Sequence, residues 1–327
     1  MEAVRAGVWG VGVWGEKHAR VYSSVPEARF VGVYDQSPER AQAVAAQYGG
    51  RAFATPDELL RECEAVSVAT PTVAHRAATE QALAAGCHVL VEKPMAVGVA
   101  DCDAMIAAAK RANRVLQVGQ VERFNPALLA AKPFVRSPKF IEGHRLAAFQ
   151  PRSLDIDVVG DLMIHDIDAV LHLTGQTPVA ISAVGVAVLS SNEDIANARL
   201  EFADGCVANL TASRVSVERL RRIRFFQSDA YVSVDLFDKS GEAFVIKDPG
   251  SFRPGVVDPF ALLEGIARTK LEVPAGEPLT FELQAFLRSL RGDGDGAASA
   301  QSGRDALYVA EEVREAMRRR ALQWSGS

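Results

Sequence analysis

Several classes of protein are excluded by what this sequence lacks. Of its 327 residues only four are cysteine, Cys63, Cys87, Cys102 and Cys206, and no two of them form a C-x-x-C pair. Neither a disulfide framework nor a zinc knuckle is encoded, and reduced thiols fit a cytosol. Basic charge is short as well: 36 Lys and Arg against 41 Asp and Glu leave a formal charge of -5. Such a surface has no footprint for a nucleic acid or an anionic membrane. The longest apolar stretch, residues 179–189, is interrupted by Ser and Gly and too short for a spanning helix. The first residues lack the basic region, apolar stretch and small-residue cleavage site of a secretory signal. A soluble, cytoplasmic protein is expected, and its length favours two domains over one core.

What is present up to about residue 121 is an alternation of short β-branched runs with longer Ala-rich helical stretches. That is the rhythm of βαβ units around a parallel sheet. Strands are predicted at 4–8, 29–34, 52–54, 65–68, 88–91 and 115–118. Ser37-Pro38 and Thr55-Pro56 each read as a cap followed by proline at the first helical position. Beyond residue 121 the rhythm changes to a strand near 140–146, a helix over 158–173, and strands at 179–189, 198–202, 206–213, 221–227 and 231–235. Residues 251–277 read as mostly loop, and helices over 280–291 and 303–319 close the chain. The expected architecture is α/β: a doubly wound Rossmann domain over 1–121, then an α+β domain over 122–327 with an open, mostly antiparallel sheet for substrate binding and oligomerisation.

Gly10-x-Gly12-x-x-Gly15 follows the first strand directly and precedes a helix. In that setting glycines permit a tight turn, close approach of backbone to a pyrophosphate, and close packing of helix on strand. Asp35 ends the second strand, where a carboxylate can accept hydrogen bonds from a ribose diol and would repel a 2'-phosphate. Its neighbours Gln36 and Ser37 bring no arginine, so NAD is expected rather than NADP. Gly10, Val11, Gly12 and Asp35 are the core of the expected cofactor site. The turns leaving the other strand ends add Thr70, Pro71, His75, Glu92, Lys93 and Gln120.

Lys93 is held between Glu92 and Pro94 at a strand end, where an ammonium could polarise a substrate oxygen or act as a base. In the helix over 158–173, Asp161 and His165 stand four apart, with Asp168 and His172 extending the stripe. A histidine oriented by a carboxylate is a suitable base for an alcohol proton. There is no H-E-x-x-H pattern and no clear third ligand, so no metal is expected. His18 and His75 either line the cofactor cleft or pack at helix ends. Arginines 214, 219, 221, 222 and 224 read as an interface or a solvated strand face, with phosphate recognition as the alternative.

These motifs, with Ala69-Thr70-Pro71, Glu92-Lys93-Pro94, Gln117-Val118-Gly119 before Arg123-Phe124-Asn125-Pro126, and Asp161-x-x-x-His165, resemble in order and spacing the glucose-fructose oxidoreductase, inositol dehydrogenase and MocA (Gfo/Idh/MocA) family. The resemblance covers nearly the whole chain. It implies an NAD-dependent oxidoreductase acting on a secondary alcohol of a sugar, with Lys93 and His165 as the catalytic pair, Asp161 assisting, and a dimer or tetramer. Within the family the chain looks most like nucleotide-sugar dehydrogenases that oxidise the 3-hydroxyl of UDP-N-acetylglucosamine-type substrates. Arg123, Asn125, Arg145 and Arg152 are then candidate substrate contacts, the arginines for a diphosphate. The rival expectations are a dehydrogenase of a free cyclitol or hexose and a non-catalytic NAD-binding regulator.

Overall fold

The computed structural model describes residues 2–149, 156–247, 265–292 and 298–325. The chain divides into two compact units, residues 1–124 with 276–308 and residues 125–275 with 309–327.

In the first unit, β1 (Val4–Trp9), β2 (Ala28–Tyr34), β3 (Arg51–Ala52), β4 (Ala65–Val68), β5 (His88–Glu92) and β6 (Leu116–Gly119) form a sheet in the order β3-β2-β1-β4-β5-β6. All of its pairs are parallel. Helices α1 (Val13–Tyr22), α2 (Pro38–Tyr48), α3 (Pro56–Glu62), α4 (Thr72–Ala84) and α5 (Val99–Ala112) connect the strands. Parallel strands need helical crossovers, and the crossovers cover both faces, which is why β4 is buried at every position. One core layer gathers Leu59, Leu83, Val89 and Met105, the other Val8, Val21, Val33 and Phe286. Each such side chain contributes about 1.5–3 kcal/mol relative to exposure. The two caps work as expected: Ser37 accepts from the Arg40 amide at 3.3 Å and Thr55 from the Glu58 amide at 3.3 Å.

The division differs from the expected boundary at residue 121. Helix α8 (Pro278–Ser289) belongs to the first unit and supplies Leu279, Leu283, Phe286 and Leu287 to its core. The start of α9 (Ala300–Ser325) does too, since a Cβ added at Gly303 would lie 2.3 Å from Val118. Helical periodicity announces that a face will be buried; it does not say against which sheet.

In the second unit, α6 (Pro126–Ala131) precedes β7 (Phe140–Leu146), and α7 (Ile164–Thr174) precedes β8 (Ala180–Val186), β9 (Ile195–Glu201), β10 (Val207–Ser213), β11 (Leu220–Phe226), β12 (Ala230–Asp235), β13 (Ser240–Ile246) and β14 (Ile266–Lys270). The strands lie in the order β14-β13-β12-β11-β7-β10-β9-β8, antiparallel throughout except for the parallel pair β7 and β10. The strands β13 and β14 were not expected. Only Ala243 of β13 is buried and none of β14 is, so both lack the two-residue alternation that a half-buried strand shows. Pairing along the growing edge makes them strands. In β12 the alternation is clean: Ala230, Val232 and Val234 face the core, while Tyr231, Ser233 and Asp235 face outward. The outward face carries an aromatic row, Phe140, Phe226, Tyr231 and Phe244, with successive ring centroids 5.6, 5.0 and 5.8 Å apart. Ion pairs cross it from Arg224 to Glu142, Arg222 to Asp235 and Arg268 to Glu242. Among the described residues no helix is long and apolar enough to cross a membrane.

Candidate active site

The strand order reverses between β1 and β4, and the crevice beyond their carboxyl ends is where open α/β sheets take ligands. Each glycine of the loop after β1 has its own reason. Gly10 adopts φ +88°, which only glycine takes cheaply. At Gly15 a Cβ would stand 1.8 Å from the Gly10 carbonyl oxygen, so helix and loop touch only without a side chain there. Gly12 is different: its backbone is extended, with φ -68° and ψ -163°, and an added Cβ would meet nothing within 4 Å. Nothing in the fold requires glycine at that position. The space that a side chain would occupy is open at the start of α1, which no side chain caps. A pyrophosphate fits there, on amides at the positive end of a helix.

Asp35 Oδ2 accepts from the Val11 amide at 2.7 Å and Oδ1 from the Ser37 amide at 2.9 Å, tying the glycine loop to the end of β2. Arg40, beyond Gln36 and Ser37, comes near Asp35 as well. One turn into α2, its Nη1 is 3.6 Å from Asp35 Oδ1, because the helix opening at Pro38 swings it back. Further along the crevice, Thr70 Oγ1 and Gln120 Oε1 are buried with no hydrogen-bond partner among the described residues. Buried polar atoms are normally paired, so these two are places where a cofactor would complete the account. The residues present thus suit a dinucleotide.

Lys93 is half-buried just beyond β5, and its peptide bond to Pro94 is cis. His75 joins the turns after β4 and β5: Nε2 lies 2.8 Å from the Thr70 carbonyl and Nδ1 3.0 Å from the Pro94 carbonyl. Burial pushes its pKa down against the pull of those carbonyls. Beneath Lys93 lies a buried polar chain that sequence reasoning missed. His18 Nε2 is 2.8 Å from Glu92 Oε1, its Nδ1 is 2.9 Å from Ser67 Oγ, and the Tyr22 hydroxyl is 2.8 Å from the same Oγ. Its one legible sign was Ser67 and Glu92 within the mostly apolar strands β4 and β5.

In the second unit the helix expected over 158–173 begins as a π-helical turn, Val159–Met163, before α7. Asp157 and Arg314 shape that turn. Asp157 Oδ1 accepts from the Gly160 amide at 2.8 Å, and Arg314 Nε meets Asp157 Oδ2 at 2.6 Å. A Cβ at Gly160 would come within 2.3 Å of the Arg314 guanidinium. Asp161, at the centre of the turn, and His165, just after it, are both half-exposed. Further along α7, Asp168 is buried and His172 half-buried.

Two expected substrate contacts have partners inside the fold. Arg145 is buried and grips Asp166 with two bonds, Nε at 3.0 Å and Nη2 at 2.7 Å. Asn125 caps α6 through the Ala127 amide at 3.1 Å and donates to the Leu236 carbonyl at 2.9 Å. Inward orientation on β7, and a cap position, account for these partners. Arg123 is buried as well, and Arg152 lies outside the described residues. The basic group at 214–224 divides: Arg222 and Arg224 pair on the outward sheet face, whereas Arg214 is buried on Asp194 at 2.8 Å.

Residues 4–120 match the model of an oxidoreductase family with an NAD-binding Rossmann fold, and residues 139–233 match the C-terminal domain of the same Gfo/Idh/MocA group. The chain is similar to UDP-N-acetylglucosamine 3-dehydrogenase of Acidithiobacillus ferrooxidans, 39% identical over 96% of this chain and 97% of that one. The solved structure of that enzyme superposes with a TM-score of 0.87 over 97% of this chain and 98% of that chain, at 38% identity. Inositol 2-dehydrogenase of Rhizobium meliloti is 28% identical over 64% of this chain and 69% of its own.

Proposed function

This chain belongs to the Gfo/Idh/MocA family of NAD-dependent oxidoreductases, and we propose that it oxidises the 3-hydroxyl of a UDP-N-acetylglucosamine-type nucleotide sugar to a ketone. The observation that carries this reading is the likeness, at 39% identity over 96% of the chain, to an enzyme named for that reaction. The inositol 2-dehydrogenase of Rhizobium meliloti is less similar, at 28% identity over 64% of the chain, which favours a nucleotide-sugar substrate over a free cyclitol. A non-catalytic role is disfavoured by the chemistry of Lys93, Asp161 and His165, which a mere NAD-binding module would not need.

NAD, when bound, supplies the acceptor for the hydride leaving the carbinol carbon. Gly10, Val11, Gly12 and Asp35 would hold it, with Thr70, Pro71, His75, Glu92 and Gln120 along the same crevice. Lys93 donates a hydrogen bond to the reacting oxygen and steadies its developing charge. His165 takes the hydroxyl proton, and Asp161 orients its ring. We also assign the cytosol as the location and a second copy of this chain as the partner of the outward sheet face. Its aromatic row and alternating ion pairs suit a self-complementary contact. Light scattering on the purified protein tests the assembly.

The reading is tested by NADH formation with UDP-N-acetylglucosamine, myo-inositol and glucose offered separately. Turnover confined to the nucleotide sugar is expected; turnover confined to myo-inositol or glucose overturns the substrate. Lys93→Met and His165→Ala should each lower kcat by about 10²- to 10⁴-fold while NAD still binds. Near-normal turnover removes that residue from the mechanism.

A further inference from the structure

We propose that His18 is a positioning residue for Lys93, acting through the carboxylate of Glu92; the proposal rests on the reading of Lys93 as catalytic. His18 is fully buried in the middle of α1, the helix whose first turn forms the dinucleotide cradle. Its Nε2 reaches Glu92 Oε1 at 2.8 Å. Glu92 ends β5, and its other oxygen, Oε2, accepts from the Lys93 amide at 3.2 Å. The residue paired with Glu92 on β6 is Gly119, where an added Cβ would lie 3.1 Å from Oε1 and 3.3 Å from Oε2. The carboxylate is therefore fixed by an imidazole at one oxygen, the Lys93 amide at the other, and a floor without a side chain.

Proton bookkeeping gives this chain a single direction. A carboxylate only accepts, so His18 Nε2 donates to it. A ring with one proton carries it on Nε2, so that Nδ1 accepts from Ser67, 2.9 Å away, and Ser67 accepts from the Tyr22 hydroxyl at 2.8 Å. Burial pushes the Tyr22 phenol well up, which keeps it a donor at the far end. Every proton has one acceptor, and the chain terminates under Lys93. Stability alone does not account for this arrangement, because an apolar cluster of similar volume would serve a parallel-sheet core as well or better. A fully satisfied polar chain confers instead a unique side-chain geometry. Here that geometry joins the NAD-binding helix to the strand end that bears the catalytic amine.

The test uses the full-length protein with UDP-N-acetylglucosamine and NAD, comparing His18→Leu, His18→Gln and His18→Asn with Lys93→Met. In His18→Leu, kcat should fall by about 10- to 100-fold, the scale of a small misplacement of a reacting group, with KM for NAD changed by less than about twofold. His18→Gln, whose amide nitrogen reaches as far as Nε2, should recover most of the loss; His18→Asn, which is one methylene shorter, should not. Competitive acetylation of Lys93 in protein without cofactor, read by mass spectrometry, should be faster in His18→Leu and return towards normal in His18→Gln. A full-speed His18→Leu beside a slow Lys93→Met overturns the proposal alone. Normal turnover in Lys93→Met overturns the underlying reading and the proposal with it. Where His18→Leu does not fold, the Gln and Asn variants decide, and equal kcat and equal Lys93 labelling in those two overturn the role.

Discussion

Three glycines written as one motif have three separate jobs, and substitution should separate them. Gly15→Ala would drive a methyl to 1.8 Å from the Gly10 carbonyl, an overlap that only backbone movement relieves. That variant is expected to lose its folded yield or its thermal midpoint. Gly12→Ala places its methyl in open space on an ordinary extended backbone, so the fold should be unaffected. Its cost falls on the ligand: KM for NAD should rise by about tenfold or more as the methyl displaces the pyrophosphate. Thermal unfolding and NAD titration on both variants check the contrast. The same division of labour applies to the polar residues. Asp35 holds the Val11 amide as well as facing the crevice, and Asn125 serves a helix cap and a strand carbonyl.

At the scale of elements, the turn carrying Asp161 departs from α-helical geometry, and π-turns of this kind occur often at functional sites. It is braced from α9 by the Arg314–Asp157 pair, with the Gly160 amide on the same carboxylate. Removing the brace should let the turn relax towards an ordinary helix and rotate Asp161 relative to His165. Arg314→Met is accordingly expected to lower kcat while leaving KM for NAD unchanged, since the dinucleotide residues all belong to the other unit. The loss of stability should be about 1–3 kcal/mol, as Asp157 keeps the Gly160 amide but loses its cation. Steady-state kinetics with denaturant unfolding measures both. An unchanged kcat would show that the turn holds its shape without α9.

For the molecule as a whole, acid stability is where the buried charges should register. Asp194 is fully buried, and burial by itself would raise its pKa. The Arg214 guanidinium, the Leu189 and Val188 amides and the Ser190 hydroxyl outweigh that and hold its carboxyl well below the usual carboxylate range. A folded-state value below the unfolded one stabilises the protein at pH above the ordinary Asp value, about 4, and the gain drains away as pH falls from there. Acid unfolding should therefore steepen below about pH 4. Asp194→Asn should flatten that limb and cost about 3–5 kcal/mol at neutral pH, because Arg214 is left buried without its carboxylate. Chemical unfolding between neutral and acid pH is the measurement.

How much was legible in advance follows from the range of the forces involved. The sequence by itself determined the parallel sheet, the Ser37 and Thr55 caps and the dinucleotide loop, because glycine conformation, capping and periodicity act within a few residues. Tertiary structure decided the rest: the strands β13 and β14, made by edge pairing instead of pattern, and the return of α8 to the first unit. It also took Arg145 and Asn125 into the fold and assembled the chain from Tyr22 through Ser67 and His18 to Glu92. Those partners lie tens of residues apart along the chain, and a buried polar group is settled only by what it meets in space.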